Sequence, residues 1–209
     1  MSKALFFDLD GTLWNALDPL IESWNSAMEK AGEHYRFNMK TMMSYMGLTP
    51  EETAKIAFSD VPFKKGMTLF NACLDFEIRY LAIHPGKMYP HEEEVISELS
   101  EGYPLYIVSN CGKGYIENYL NALNMAKYFK GHLCVGQTGL PKWKNIIKLK
   151  EDEKIDDVIY IGDTDKDRVE SERAKVRFIH AAYGFGKTLV KTPKINSLIE
   201  LPGIVKTLS

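Results

Sequence analysis

The gap between the first two strand signals constrains this chain more than any other feature. Residues 4–7 (ALFF) form a short apolar run, and the next run of equal strength, residues 105–108 (LYIV), begins about a hundred residues later. Two further runs lie at residues 158–161 and 178–181, with a weaker one at residues 132–135. Continuous apolar runs, as opposed to alternating ones, fit strands covered on both faces. Helical patterns stand between the later runs. Residues 90–99 open on the acidic turn Glu92-Glu93-Glu94, which suits the positive end of a helix, and residues 114–123 and 144–150 follow. This alternation predicts βα units and a parallel sheet, an α/β fold. The first connection is far too long for one crossover.

The long connection is rich in helix signals. Leu17, Leu20, Ile21, Trp24, Met28 and Ala31 recur at three- and four-residue steps and stop at Gly32, with Asp18-Pro19 a candidate start. Thr49 caps a second helix whose first turn is Pro50-Glu51-Glu52, and a third is expected over residues 69–81. The economical reading is a small helical domain over residues 16–84, inserted after the first strand. The core is then residues 1–15 and 85–209, with His84-Pro85-Gly86 at the exit.

A chain of 209 residues is long enough to bury a core without a disulfide or metal staple. A net charge of −2 gives no basic excess of the kind a nucleic-acid footprint needs. The three cysteines, Cys73, Cys111 and Cys134, form no CxxC pair and read as reduced thiols. The apolar run near Met1 is too short for a signal-peptide core, and no run reaches the ~20 residues of a membrane helix. The expectation is a cytoplasmic protein that engages neither membrane nor nucleic acid; monomer and homodimer both stay open.

Ligands of parallel sheets bind at the carboxyl ends of the strands. Asp8 follows the first strand, Ser109-Asn110 the second, and Gly162-Asp163 the third. Asp8 and Asp10 stand two positions apart, and "IGDTDKD" adds Asp163, Asp165 and Asp167. Two unit charges 4 Å apart repel by about 4 kcal/mol at an effective dielectric of 20. Such crowding is relieved by protonation or by a cation. An all-oxygen ligand set points to a hard cation, and Mg²⁺ keeps its waters and a substrate phosphate. A carboxylate attacks phosphorus, a second carboxyl protonates the leaving oxygen, and donors with positive charge hold the phosphoryl oxygens. Ser109, the amide of Asn110 and a lysine, Lys142 or Lys144, are candidates for the last role.

"FFDLDGTL", "YIVSN", the lysine of "LPKWKNI" and "YIGDTDKD" resemble, in order, the four motifs of the haloacid dehalogenase-like superfamily. "FIHAAYGFG" and "MYPHEEEVISELSEGYPLYIVSN" resemble its phosphoglycolate-phosphatase-like branch with a helical cap. The resemblance implies a Rossmann-like core with helices on both faces, and a Mg²⁺-dependent phosphatase of a small phosphorylated metabolite. It implies Asp8 as nucleophile and metal ligand, and Asp10 as general acid/base lending the metal its carbonyl. Thr12 and Ser109 become phosphate-site residues, and Lys142 the neutralising lysine. Asp163 becomes a direct metal ligand, and Asp167 a ligand through water or a partner for Lys142. Within "YMGLTPEE" the residues Met46, Gly47 and Leu48 resemble a cap loop facing the leaving group, and the free amides of a helix start there suit an anionic group. A sugar phosphomutase is the alternative within the superfamily, and a catalytically idle binding module the alternative outside enzymes.

Blander readings stand beside these. Aspartates favour turns, and Asp165 reads as a solvated turn residue. "AAYGFGKT" mimics a phosphate-binding loop but lacks the glycine required at position 181. Trp24 and Met28 read as cap core. Trp14 and Trp143 depart from the branch's usual residues and have no assigned role.

Overall fold

The computed structural model describes residues 3–208. Strand β1 (Lys3–Phe7) runs into a tight turn and a two-residue strand, β2 (Trp14–Asn15). Four helices follow: α1 (Leu17–Lys30), α2 (Met39–Tyr45), α3 (Pro50–Ala57) and α4 (Phe63–Leu81). Strand β3 (Lys87–Met88) returns antiparallel to β2. The chain then alternates: α5 (Glu92–Gly102), β4 (Leu105–Ser109), α6 (Tyr115–Ala122), β5 (Phe129–Cys134), α7 (Val135–Thr138), α8 (Lys142–Asp152), β6 (Asp157–Gly162), α9 (Asp165–Arg173), β7 (Arg177–Ala181), β8 (Lys194–Ile195) and α10 (Leu201–Thr207). Six strands pair in the order β5-β4-β1-β6-β7-β8, and every pairing is parallel. This is the α/β, Rossmann-like sheet that the apolar runs predict.

The period of two along the strands sorts the core into two clusters. Leu5, Phe7, Ile107, Ile159 and Ile161 face one side, where α5, α6 and α10 supply Ile96, Ile116 and Leu201. Ala4, Phe6, Tyr106, Val108 and Tyr160 face the other, against Ile146 and Leu149 of α8. Helices on both faces explain why the strands are apolar throughout. The first cluster continues without a break into the helical block, through Trp24, Phe37, Met42, Phe58 and Phe70.

Several local expectations need correction. Ala16, not Asp18-Pro19, precedes the first turn of α1, and the Asn15 side chain accepts from the Leu17 amide because it lies one turn ahead of the free N–H groups. Helix α2 and strands β2, β3 and β8 carry too few residues for a periodicity signal. Strand β5 starts at Phe129, earlier than the run at residues 132–135, because exposed Lys130 and half-buried Gly131 interrupt its apolar pattern. Asp165 opens α9, pairs with Arg168 at 2.7 Å and accepts the Leu189 amide, so it is a structural carboxylate held below its ordinary pKa. The three cysteines are free thiols. Among the described residues no helix is long and apolar enough to cross a membrane.

Glu92, the first residue of α5, is buried beneath the sheet's edge. It accepts from the Tyr119 hydroxyl at 2.7 Å and the Tyr89 amide at 3.0 Å. Burial outweighs both bonds and pushes its pKa from 4.5 up to about 8. The folded protein therefore holds this proton more tightly than the unfolded chain does. That stabilisation is full below about pH 4.5 and is lost as pH rises through about 8. Glu92→Gln keeps both contacts without the ionisation. Its Tm is expected to fall less than the wild type's between pH 6 and pH 9 in thermal melts.

Candidate active site

The carboxyl ends of β1, β4 and β6 lie side by side, because β1 pairs with both of the others. Asp8 extends the ladder one residue beyond β1, its amide donating to the Ile161 carbonyl at 2.8 Å. Asp163 follows β6, and Asp167 lies on the first turn of α9. Oxygens of Asp8, Asp163 and Asp167 all fall within 4.8 Å of one another, and all three residues are buried. Lys142, the first residue of α8, is 1% exposed. Its Nζ stands 3.0 Å from Asp8 Oδ1 and 2.6 Å from Asp167 Oδ1. Of the two candidate lysines this is the one in the cluster; Lys144 is exposed and lies over the Trp143 ring.

Asp167 Oδ2 is taken by the Thr164 amide and hydroxyl, at 3.0 and 2.6 Å. Burial raises the Asp167 pKa, but the charge of Lys142 overrides it and the net direction is down. Lys142 is held well above its ordinary value, since its two carboxylates outweigh desolvation. Asp163 goes the other way, raised by burial and then by Asp167 and Asp8, although the Phe185 amide donates to its Oδ2 at 2.7 Å. Asp8 is pushed up to about 6, chiefly by burial. Apart from the ion pair with Lys142, Asp8 Oδ1 is buried without a hydrogen-bond partner among the described residues. Three carboxylates against one cation, with an orphaned oxygen among them, fit a divalent ion held by Asp8 and Asp163.

Space around Asp163 is kept by glycine. At Gly11, where φ is +77°, an added Cβ would lie 2.2 Å from Asp163 Oδ2; at Gly184 it would lie 2.4 Å from Asp163 Cβ. "GFG" thus works as a collar that brings the Phe185 and Gly186 amides to Asp163. The sequence presents this loop as a Walker mimic and as a resemblance to the branch's tail, and neither reading announces the contact with Asp163.

Asp10 points away from the carboxylate cluster. Its Oδ1 accepts from the Tyr115 hydroxyl at 2.8 Å and from Trp14 Nε1 at 3.0 Å. The turn after β1 makes this possible: Gly11 donates to the Trp14 carbonyl, and Leu13 and Trp14 donate to that of Leu9. The tryptophan is folded back beneath the aspartate, edge-on to Tyr115 and Tyr119. Trp14 therefore orients Asp10, a role that nothing in the local sequence announces. Burial pushes Asp10 up to about 7, against the two hydrogen bonds and with the Asp8 charge. Trp14→Phe keeps the ring packing and removes one of the two donors. A kcat decrease of about tenfold with KM little changed is expected from steady-state kinetics, since only the orientation of the acid suffers.

A cavity opens above these groups. Asp8, Asp10, Ser109, Asn110 and Lys142 line it from the sheet, and Met46, Gly47 and Leu48 from the helical block. The two sides touch where Asn110 Nδ2 donates to the Gly47 carbonyl at 2.8 Å. Thr12 is buried outside this wall, its hydroxyl without a partner among the described residues. The cap loop lines the cavity, and most of its amides are engaged within it, that of Gly47 being left without a partner among the described residues. Met46 and Leu48 donate to the Met43 and Tyr45 carbonyls, and Thr49 donates to Glu52 in a capping box. Trp24 lines the cavity as well as packing in the block, where core packing alone was expected. Trp143 packs at the far face of the sheet with Arg173 over its ring, away from the chemistry. Glu77 was missed altogether. The sequence carries its signal, a lone carboxylate in the buried stripe of Leu69, Phe70, Cys73 and Leu81 on α4.

The family pattern of haloacid dehalogenase-like hydrolases matches residues 5–181. The chain belongs to this family. This haloacid dehalogenase-like hydrolase is 25% identical to a phosphoglycolate phosphatase of Rhodobacter capsulatus over 99% of its own length and 98% of the relative's. Its fold matches a predicted phosphatase from Clostridium acetobutylicum with a TM-score of 0.80, at 19% identity and over 99% of each chain. It matches a predicted phosphoglycolate phosphatase from Haemophilus somnus equally, at 20% identity and over 98% of each. The hydrolase is thus an enzyme whose curated relatives are phosphatases.

Proposed function

We propose that this hydrolase cleaves a small phosphomonoester through an aspartyl phosphate on Asp8, with Mg²⁺ as its metal. The observation that carries this reading is the pairing of two unlike carboxyls on one turn. Asp8 stands in the Lys142–Asp163–Asp167 cluster, and Asp10 is turned out of it toward the cavity wall. Asp8 attacks phosphorus, and the ester P–O bond breaks. The leaving oxygen takes the proton of Asp10, whose pKa, raised to about 7, leaves a large fraction of it protonated near neutral pH. Asp10, now a carboxylate, takes a proton from a water that attacks the acyl phosphate. Asp8 and inorganic phosphate are released. Ser109, the Asn110 amide and Lys142 hold the phosphoryl oxygens, and Thr12 belongs to the turn that carries Asp8 and Asp10. The carboxylates of Asp8 and Asp163 and the carbonyl of Asp10, with Asp167 behind them, would hold Mg²⁺, which would supply charge neutralisation for the phosphoryl group. Residues 16–84 act as a cap hinged at the β2–β3 ribbon, and closure over the cavity excludes bulk water in the first step.

The test is hydrolysis of 4-nitrophenyl phosphate with Mg²⁺ and with EDTA, in wild type and in Asp8→Asn. Turnover is expected only in wild type with metal. Equal rates in all four arms would refute the reading.

A further inference from the structure

The relatives' activity concerns an ester whose leaving alcohol carries a carboxylate, and the cavity of this chain is poorly built for that group. Lys142 is the only cation on the wall among the described residues, and Asp8 and Asp167 hold it at 3.0 and 2.6 Å. The start of α3, a second place where an anion would be welcome, is filled by Glu52 of its own capping box, which also pairs with Lys166. Much of the rest of the wall is apolar, with Leu20, Phe70 and Leu74 among it. Into this wall projects Glu77, 3% exposed. Its Oε2 accepts from Trp24 Nε1 at 2.6 Å, and its Oε1 accepts no hydrogen bond among the described residues.

We propose that Glu77, positioned by Trp24, determines specificity by accepting a hydrogen bond from the leaving group. The substrate class is then a phosphomonoester whose alcohol carries a hydroxyl or ammonium donor and no negative charge. The proposal rests on the phosphomonoesterase reading above. In either protonation state the Glu77 carboxyl offers an acceptor oxygen, and in neither does it offer a positive charge. A leaving-group carboxylate entering this wall loses its hydration and finds no free cation among the described residues that line it. A hydroxyl or ammonium group meets an acceptor that the protein leaves unused, and an unused buried acceptor favours the ligand that satisfies it.

Four two-carbon esters separate these cases: 2-phosphoglycolate, ethylene glycol monophosphate, phosphoethanolamine and ethyl phosphate. With 4-nitrophenyl phosphate as reference, kcat/KM is measured for each in wild type and in Glu77→Gln. In wild type the glycol or ethanolamine ester is expected to exceed both phosphoglycolate and ethyl phosphate by about tenfold or more. In Glu77→Gln the amide oxygen serves Trp24 and the NH₂ group faces the cavity, so the advantage over ethyl phosphate should collapse. Each ratio is read within one protein, so loss of folded variant cancels, and the wild-type ranking stands as a test even if the variant does not fold. Failure on every ester, the aryl one included, would overturn the phosphatase reading. Hydrolysis of the aryl ester without the tenfold preference, or a preference that survives Glu77→Gln, would overturn this inference alone.

Discussion

Asp8→Asn is expected to abolish turnover and yet to melt higher than wild type in metal-free buffer. On the proposed mechanism Asp8 is the nucleophile, so its loss removes the covalent route and a kcat decrease of about 10⁴-fold or more is expected. Stability moves the other way for a separate reason. Asp8 is buried beside Asp163 and Asp167, and Lys142 alone answers three carboxylates. An asparagine fits the same space, offers Lys142 an oxygen, and brings no charge to be desolvated. A gain of about 1 kcal/mol, or roughly 2–4 °C in Tm, is the scale such relief gives in a chain of this size. Mg²⁺ should reverse the ranking, since a ligand that binds the folded wild type more tightly stabilises it more. Thermal melts of both proteins with EDTA and with Mg²⁺ measure this. A variant that melts below wild type in EDTA would show that the carboxylate cluster is not under strain.

Lys142→Met is expected to give the largest loss of stability of any single change at the site. The lysine is 1% exposed and makes two buried ion pairs. Breaking a buried pair from one side leaves the partner uncompensated, at a cost of about 3–5 kcal/mol. In Tm this is roughly 10 °C. Adding Asp167→Asn should recover much of the loss, because the two residues are coupled and their effects do not add. Chemical denaturation of the two single variants and the double measures the coupling. A Lys142→Met protein as stable as wild type would mean that the pairs contribute nothing net. Activity should be lost in Lys142→Met and in the double variant, since the positive charge beside the phosphoryl site is gone from both.

Where chemistry is tied to strand ends, the sequence was legible. Asp8, Ser109 and Asp163 each stand at the end of a continuous apolar run, and parallel pairing of those runs leaves them one place to meet. Lys142 and Asp167 were legible for a related reason, lying on the first turns of helices beside that edge. The cap loop is a mixed case. Its position at the cavity follows from where the insert begins and ends, but the amides of Met46 and Leu48 are spent on its own turns, which no motif reveals.

Trp14 and Glu77 show the limit. Trp14 binds Asp10 because the turn after β1 closes on itself, and Tyr115 completes that contact from the far side of a connection of about a hundred residues. Such a contact has no period and no spacing. Glu77 breaks the buried stripe of α4, which is a local signal, yet its partner Trp24 lies on another helix.

The sequence by itself determined the sheet, the inserted helices and the identity of the charged groups at the strand ends. Hydrophobic periodicity acts along the chain, and strand pairing converts it directly into position. Only the tertiary structure decided which way each carboxyl points and how firmly it holds its proton. Asp8 and Asp10 are the same residue type two positions apart. One is placed against Lys142 and two other carboxylates, the other against Trp14 and Tyr115, and the difference is made by groups that burial brings together from distant parts of the chain.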